Sequence, residues 1–88
     1  MAHVHFVMLS HLETPVPLVD LDRVERNVAH AAAYARSHGL ALRPHVKTHK
    51  SARIAALQVG SGAGGLTCAT PREAEVMQAV SGDLLVAY

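Results

Sequence analysis

Arg43-Pro44-His45-Val46-Lys47-Thr48-His49-Lys50 gathers an arginine, two histidines and two lysines into eight residues. A surface loop can be this polar, but here the spacing is regular. Arg43, His45, Lys47 and His49 stand two apart, so an extended chain would turn all four to one side and Thr48 to the other. Such a face is either a solvated edge or the lining of a site. Leu40 to Lys47 is therefore expected to be a strand, with the basic cluster towards its C-terminal end.

On the N-terminal side, residues 1–13 show no clear period and read as a leader, poorly ordered. Thr14-Pro15-Val16-Pro17 is extended by its prolines, and Leu18-Val19-Asp20-Leu21 reads as a short strand. Asp22 with Glu25 three residues on has the form of a helix cap, followed by Val24, Val28, Ala31, Ala32 and Ala35 at helical spacing. His38-Gly39 ends that helix, with glycine where a left-handed residue is wanted.

On the C-terminal side, Ser51 is expected to cap a helix presenting Ile54, Leu57 and Gln58, which the glycines from Gly60 to Gly65 break. Leu66-Thr67-Cys68-Ala69 reads as a strand. Thr70-Pro71-Arg72-Glu73 then starts a helix, with Thr as cap, Pro first and Glu third. Ala74, Met77 and Val80 form its buried face, Gly82 ends it, and Asp83 to Tyr88 opens a further strand. The expected order is β-α-β-α-β-α-β with short connections, the pattern of a parallel sheet.

Composition bounds the function. Half the residues are apolar, but alanine dominates them and only one Phe and two Tyr are present, so any core is thin. A net charge of +1 gives no electrostatic footprint for nucleic acid. The single Cys68 excludes an intramolecular disulfide and fits a reducing compartment. No apolar run approaches the roughly 20 residues that span a bilayer, and the start lacks a cationic signal-peptide region. The expectation is a soluble cytoplasmic chain with no membrane and no nucleic-acid partner.

Two patterns are decoys. Gly60-Ser61-Gly62-Ala63-Gly64-Gly65 matches the G-x-G-x-x-G string, yet it follows a helix and enters a strand, the reverse of a dinucleotide-binding turn. His3 and His5 form an H-x-H pair with no cysteine or carboxylate at ligand spacing, so no metal ligand is assigned.

Lys47 is different. A lysine that forms a Schiff base must be partly desolvated or lie among other cations, so that its amine is neutral often enough to attack a carbonyl. Arg43, His45, His49 and Lys50 supply those cations. Spacing alone does not separate this reading from a solvated basic turn.

RPHVKTHK resembles the signature of the D-threonine aldolase and D-serine dehydratase family, pyridoxal-phosphate enzymes of fold type III related to the alanine racemase N-terminal domain. The resemblance runs through TPVPLVDLDRVERNV, LRPHVKTHK, GLTCATPREAEVM and GDLLVAY, nearly all of residues 14–88. It implies a partial (β/α)8 TIM barrel, about the first three βα units plus one strand. A whole barrel takes about 250 residues. The chain therefore reads as the N-terminal part of a larger protein, with an uncovered parallel edge.

By the same resemblance Lys47 carries pyridoxal 5′-phosphate as a Schiff base and acts near the substrate Cα, and His45 is a cofactor-binding position ahead of His49. The implied function is a lyase acting on a small-molecule D-amino acid, by aldol cleavage or dehydration, inactive as an isolated 88-residue piece. Racemisation, non-catalytic pyridoxal-phosphate binding and a non-functional remnant are the alternatives. Full-length members of the family are expected to be homodimers. Their divalent metal is held in a C-terminal β domain, so its ligands are not expected among these residues.

Overall fold

A computed structural model describes residues 9–87. His3, His5 and Tyr88 lie outside the described residues. Leu9–His11 form one 3-10 turn. The regular elements are α1 (Leu21–Ser37), α2 (Ala52–Gly60), β1 (Leu66–Cys68), α3 (Pro71–Met77) and β2 (Leu84–Val86).

The strand expected over Leu18–Leu21 is not formed. Residues 16–20 are exposed and pair with nothing described, and Leu21 already belongs to α1. The cap is Asp20 instead of Asp22. Asp20 is extended, at φ −85° and ψ 104°, and its carboxylate accepts the Asp22 and Arg23 N–H groups at 3.0 and 3.2 Å. Starting the helix earlier adds Leu21 to the inward stripe of Val24, Val28, Ala32 and Ala35. At the other end Gly39, at φ 63°, takes the left-handed position. The Leu40 and Gly39 N–H groups then close on the Ala35 and Arg36 carbonyls at 2.8 and 3.2 Å.

The strand expected over Leu40–Lys47 shrinks to one parallel bridge, His45 with Thr67. Its two hydrogen bonds run from Thr67 N–H to the Pro44 carbonyl (2.8 Å) and from Val46 N–H to the Thr67 carbonyl (2.9 Å). Backbone chemistry stops it at both ends. Pro44 has no N–H for the preceding step of the ladder. Beyond the bridge, the Val46 carbonyl is taken by Lys50 N–H at 2.8 Å and the Ala69 N–H by the Glu73 carboxylate at 3.0 Å. With the Val46 carbonyl and the Ala69 N–H committed elsewhere, the next ladder bond is not made and the chain turns at residues 47–49. The four basic side chains therefore do not share one strand face.

β1 and β2 pair in parallel, Leu66 with Leu84, Thr67 with Leu85 and Cys68 with Val86, and α3 is their crossover. β1 is thus central, between the His45 segment and β2. Val46, Ala55, Leu66, Cys68 and Met77 form the core, with Val59, Ala74, Val80 and Leu84 packed against it. α1 lies on α2, tied at its end by Arg36 Nη1 donating to the Ser61 carbonyl at 3.1 Å. This is a mixed α/β arrangement around a two-stranded parallel sheet.

Candidate functional site

Lys47 begins the turn that follows the His45 bridge, and it is exposed. Three hydrogen bonds hold its surroundings. The Lys47 N–H donates to His45 Nδ1 at 3.1 Å, the Lys50 N–H closes the turn on the Val46 carbonyl, and the Ser51 N–H donates to His49 Nδ1 at 2.9 Å. Lys50 sits at φ 50°, a left-handed conformation that disfavours a residue carrying a side chain. The lysine backbone is thus fixed while its amine stays in reach of solvent.

That combination suits an aldehyde cofactor. The group needs a primary amine that is accessible and not locked in an ion pair. The ion pairs among the described residues belong to Arg23, Arg43 and Arg72, not to Lys47. Both histidines use Nδ1 as an acceptor, so the proton of each neutral ring sits on Nε2. His49 Nε2 then donates to Gln58 Oε1 at 3.2 Å, whereas His45 Nε2–H is left as a donor beside the lysine turn. Of the two, His49 is the more firmly committed to the protein itself.

Arg43 departs from the cluster. Its Nη2 pairs with Asp83 Oδ1 at 2.7 Å, and Nη1 donates to the Leu66 and Asp83 carbonyls at 3.2 and 3.1 Å. Gly65 makes room for this, since a Cβ there would lie 2.5 Å from Arg43 Nη1 and 2.6 Å from the Asp83 carbonyl oxygen. Arg43 therefore locks the entry of β2 against β1 and is not part of a cationic lining. Sequence reasoning missed this lock and the Gln58 partner of His49, because no local pattern marks partners 40 and 9 residues apart.

Cys68 and Thr70 follow β1. The Cys68 thiol is fully buried, and burial, then the Glu73 carboxylate, push its pKa above the ordinary value, so it is no nucleophile. Thr70 is the α3 cap, its Oγ1 accepting the Glu73 N–H at 3.2 Å. Among the described residues no three His, Cys, Asp or Glu side chains gather to hold a metal ion. No helix among them is long and apolar enough to cross a membrane.

No family model matches the chain. Individual relatives do, and they are dehydratases and aldolases named for D-3-hydroxy amino acids. The D-threo-3-hydroxyaspartate dehydratase of Delftia sp. (strain HT23) is 48% identical over 67 residues, 76% of this chain and 18% of the relative. The 3-hydroxy-D-aspartate aldolase of Paracoccus denitrificans is 40% identical over 67 residues, and the D-threonine aldolase of Arthrobacter sp. 41% over 66. A stretch of that length in an 88-residue chain must include Arg43–Lys50.

Solved structures agree. The Delftia dehydratase superposes with a TM-score of 0.80 at 44% identity, over 89% of this chain and 21% of that one. The D-threonine aldolase of Filomicrobium marinum gives 0.73 at 42%, over 83% and 20%. By this homology the chain belongs to the D-threonine aldolase and D-3-hydroxyaspartate dehydratase family, and it spans about a fifth of the length of the relatives it matches.

Proposed function

We propose that Lys47 is the residue through which this chain holds pyridoxal phosphate, in an enzyme that cleaves or dehydrates D-3-hydroxy amino acids. The observation that carries the reading is the lysine turn itself. An accessible, unpaired amine stands on a backbone fixed on both sides, within the segment homologous to such enzymes. Bound there, pyridoxal phosphate supplies an electron sink for negative charge developing at the substrate Cα. Lys47 would anchor the cofactor covalently and, once displaced by the substrate amine, take or return a proton at Cα. His45 Nε2–H is the proposed donor to cofactor or substrate.

The parallel β1-α3-β2 unit, extended through β1 to the His45 bridge, supports assigning residues 14–88 to one edge of a (β/α)8 barrel. The names of the relatives favour a lyase over a racemase. The proposed partner is the small D-amino acid, with a second copy of the whole enzyme completing a homodimer. No metal ligand is assigned to these residues.

Incubating the chain with pyridoxal phosphate, reducing with borohydride and mapping the adduct by peptide mass spectrometry tests the reading. One adduct per chain at Lys47, lost in Lys47→Ala, is the expected result. Labelling spread over Lys47 and Lys50, or none, would overturn it.

A further inference from the structure

We infer that His49 is a positioning residue for Lys47: its imidazole staples the lysine-bearing turn to helix α2. The inference deepens the cofactor reading and rests on it. Two hydrogen bonds of the ring and two features of the turn around it converge. Nδ1 accepts the N–H of Ser51, the residue that caps α2. Nε2–H donates to Gln58 Oε1, well along the same helix. Ser51 in turn uses Oγ to accept the Ile54 N–H at 3.2 Å, so ring, cap and first helical turn form one chain of hydrogen bonds. Between His49 and Ser51 stands Lys50 at φ 50°.

A left-handed residue with a side chain persists only where its neighbours over-determine it. Two hydrogen bonds span Lys50 here. One is its own N–H to the Val46 carbonyl, and the other runs from the Ser51 N–H to His49 Nδ1. Without the ring, Lys50 is free to relax towards negative φ, the turn at 47–49 reopens, and the Lys47 amine is spread over a wider volume. His49 thus acts through the backbone, with both ring nitrogens occupied, which separates its role from that of His45.

The test uses variants that split the ring's functions. Asn at this position places Oδ1 where Nδ1 stands and can accept the N–H two residues on, as in an Asx turn. Phe keeps the ring volume and accepts nothing. Amide hydrogen exchange without cofactor reads the staple, and the share of borohydride-trapped adduct at Lys47 against Lys50 reads the positioning. In His49→Phe, protection of the Ser51 amide and selectivity for Lys47 should each fall about tenfold, the scale of one lost hydrogen bond. His49→Asn should restore both to within about threefold of the native chain.

If His49→Phe does not fold, His49→Asn and Gln58→Ala carry the test. His49→Asn keeps the Ser51 bond and loses the Gln58 one, and Gln58→Ala loses the Gln58 bond alone, so each should lower Lys47 selectivity by up to about threefold. Unchanged selectivity in both His49→Phe and Gln58→Ala would overturn the positioning role while the cofactor reading stands. A native chain with a protected Ser51 amide but no adduct at Lys47 would overturn the cofactor reading and the role built on it.

Discussion

Two residues near the end of the same parallel arrangement, Lys47 and Cys68, carry reactive groups and meet opposite fates. Lys47 is exposed on a turn; Cys68 is wholly buried in β1 between neighbours that pair on both sides. Burial and the nearby Glu73 raise the thiol pKa, so the folded state favours the protonated form. The sign follows from linkage. The contribution of Cys68 is fully present below the ordinary value of 9.0 and is lost as pH rises through the raised folded value. Chemical denaturation should therefore show the stability advantage of the native chain over Cys68→Ala shrinking as pH climbs past 9.0. A constant difference across that range would contradict it. The basic octapeptide was legible as unusual at this scale, but not the division of labour within it. Arg43 goes to Asp83, His49 to Gln58 and Ser51, and Lys47 and Lys50 are left exposed without an ion pair among the described residues, Lys50 alone being held at a positive φ.

Elements were legible where their ends carry their own chemistry. α3 begins as expected, with Thr70 capping, Pro71 first and Glu73 third, because each of those signals acts within four residues. Glu73 differs in one detail, reaching back to the Ala69 N–H, one residue before the cap. Thr70→Ala should cost about 1 kcal/mol in urea denaturation and Thr70→Ser only a few tenths. Equal losses for the two would mean that the hydroxyl is not the cap. The α1 cap was misplaced by two residues because Asp20 and Asp22 are chemically alike. The earlier start at Asp20 adds the half-buried Leu21 to the helix. The Leu40–Lys47 strand failed for a reason that no periodicity reports: Pro44 has no N–H to give, the Val46 carbonyl is taken by Lys50, and the Ala69 N–H by Glu73.

Across the whole molecule the described chain is extended for its length. Its radius of gyration is 14.5 Å, with axes of 44, 30 and 20 Å, where a compact domain of this size would have about 12 Å. Four of the eight buried apolar residues are alanines, while Leu18, Val19, Leu40 and Leu85 are each more than half exposed. β2 pairs on one side only among the described residues, so its other edge offers free N–H and C=O groups. The 88-residue chain should therefore melt over a broad range and self-associate as its concentration rises, by light scattering and sedimentation. A sharp, concentration-independent melt of a monomer would refute this.

The sequence by itself determined where the helices lie, the Gly39 and Thr70 boundaries, the β1 and β2 segments and the family, since capping, helical spacing and a dense local motif all act over a few neighbouring residues. The end expected at Gly82 was not met, because α3 stops at Met77 and a turn follows at 78–80. Tertiary structure decided which segment lies beside β1, where local turns and Pro44 leave the His45 stretch a single bridge. It also decided which basic side chains were drawn into contacts 9 to 40 residues away. The physical reason is that partners so far apart in sequence meet only when the whole chain is folded, while each buried backbone donor or acceptor must still find one.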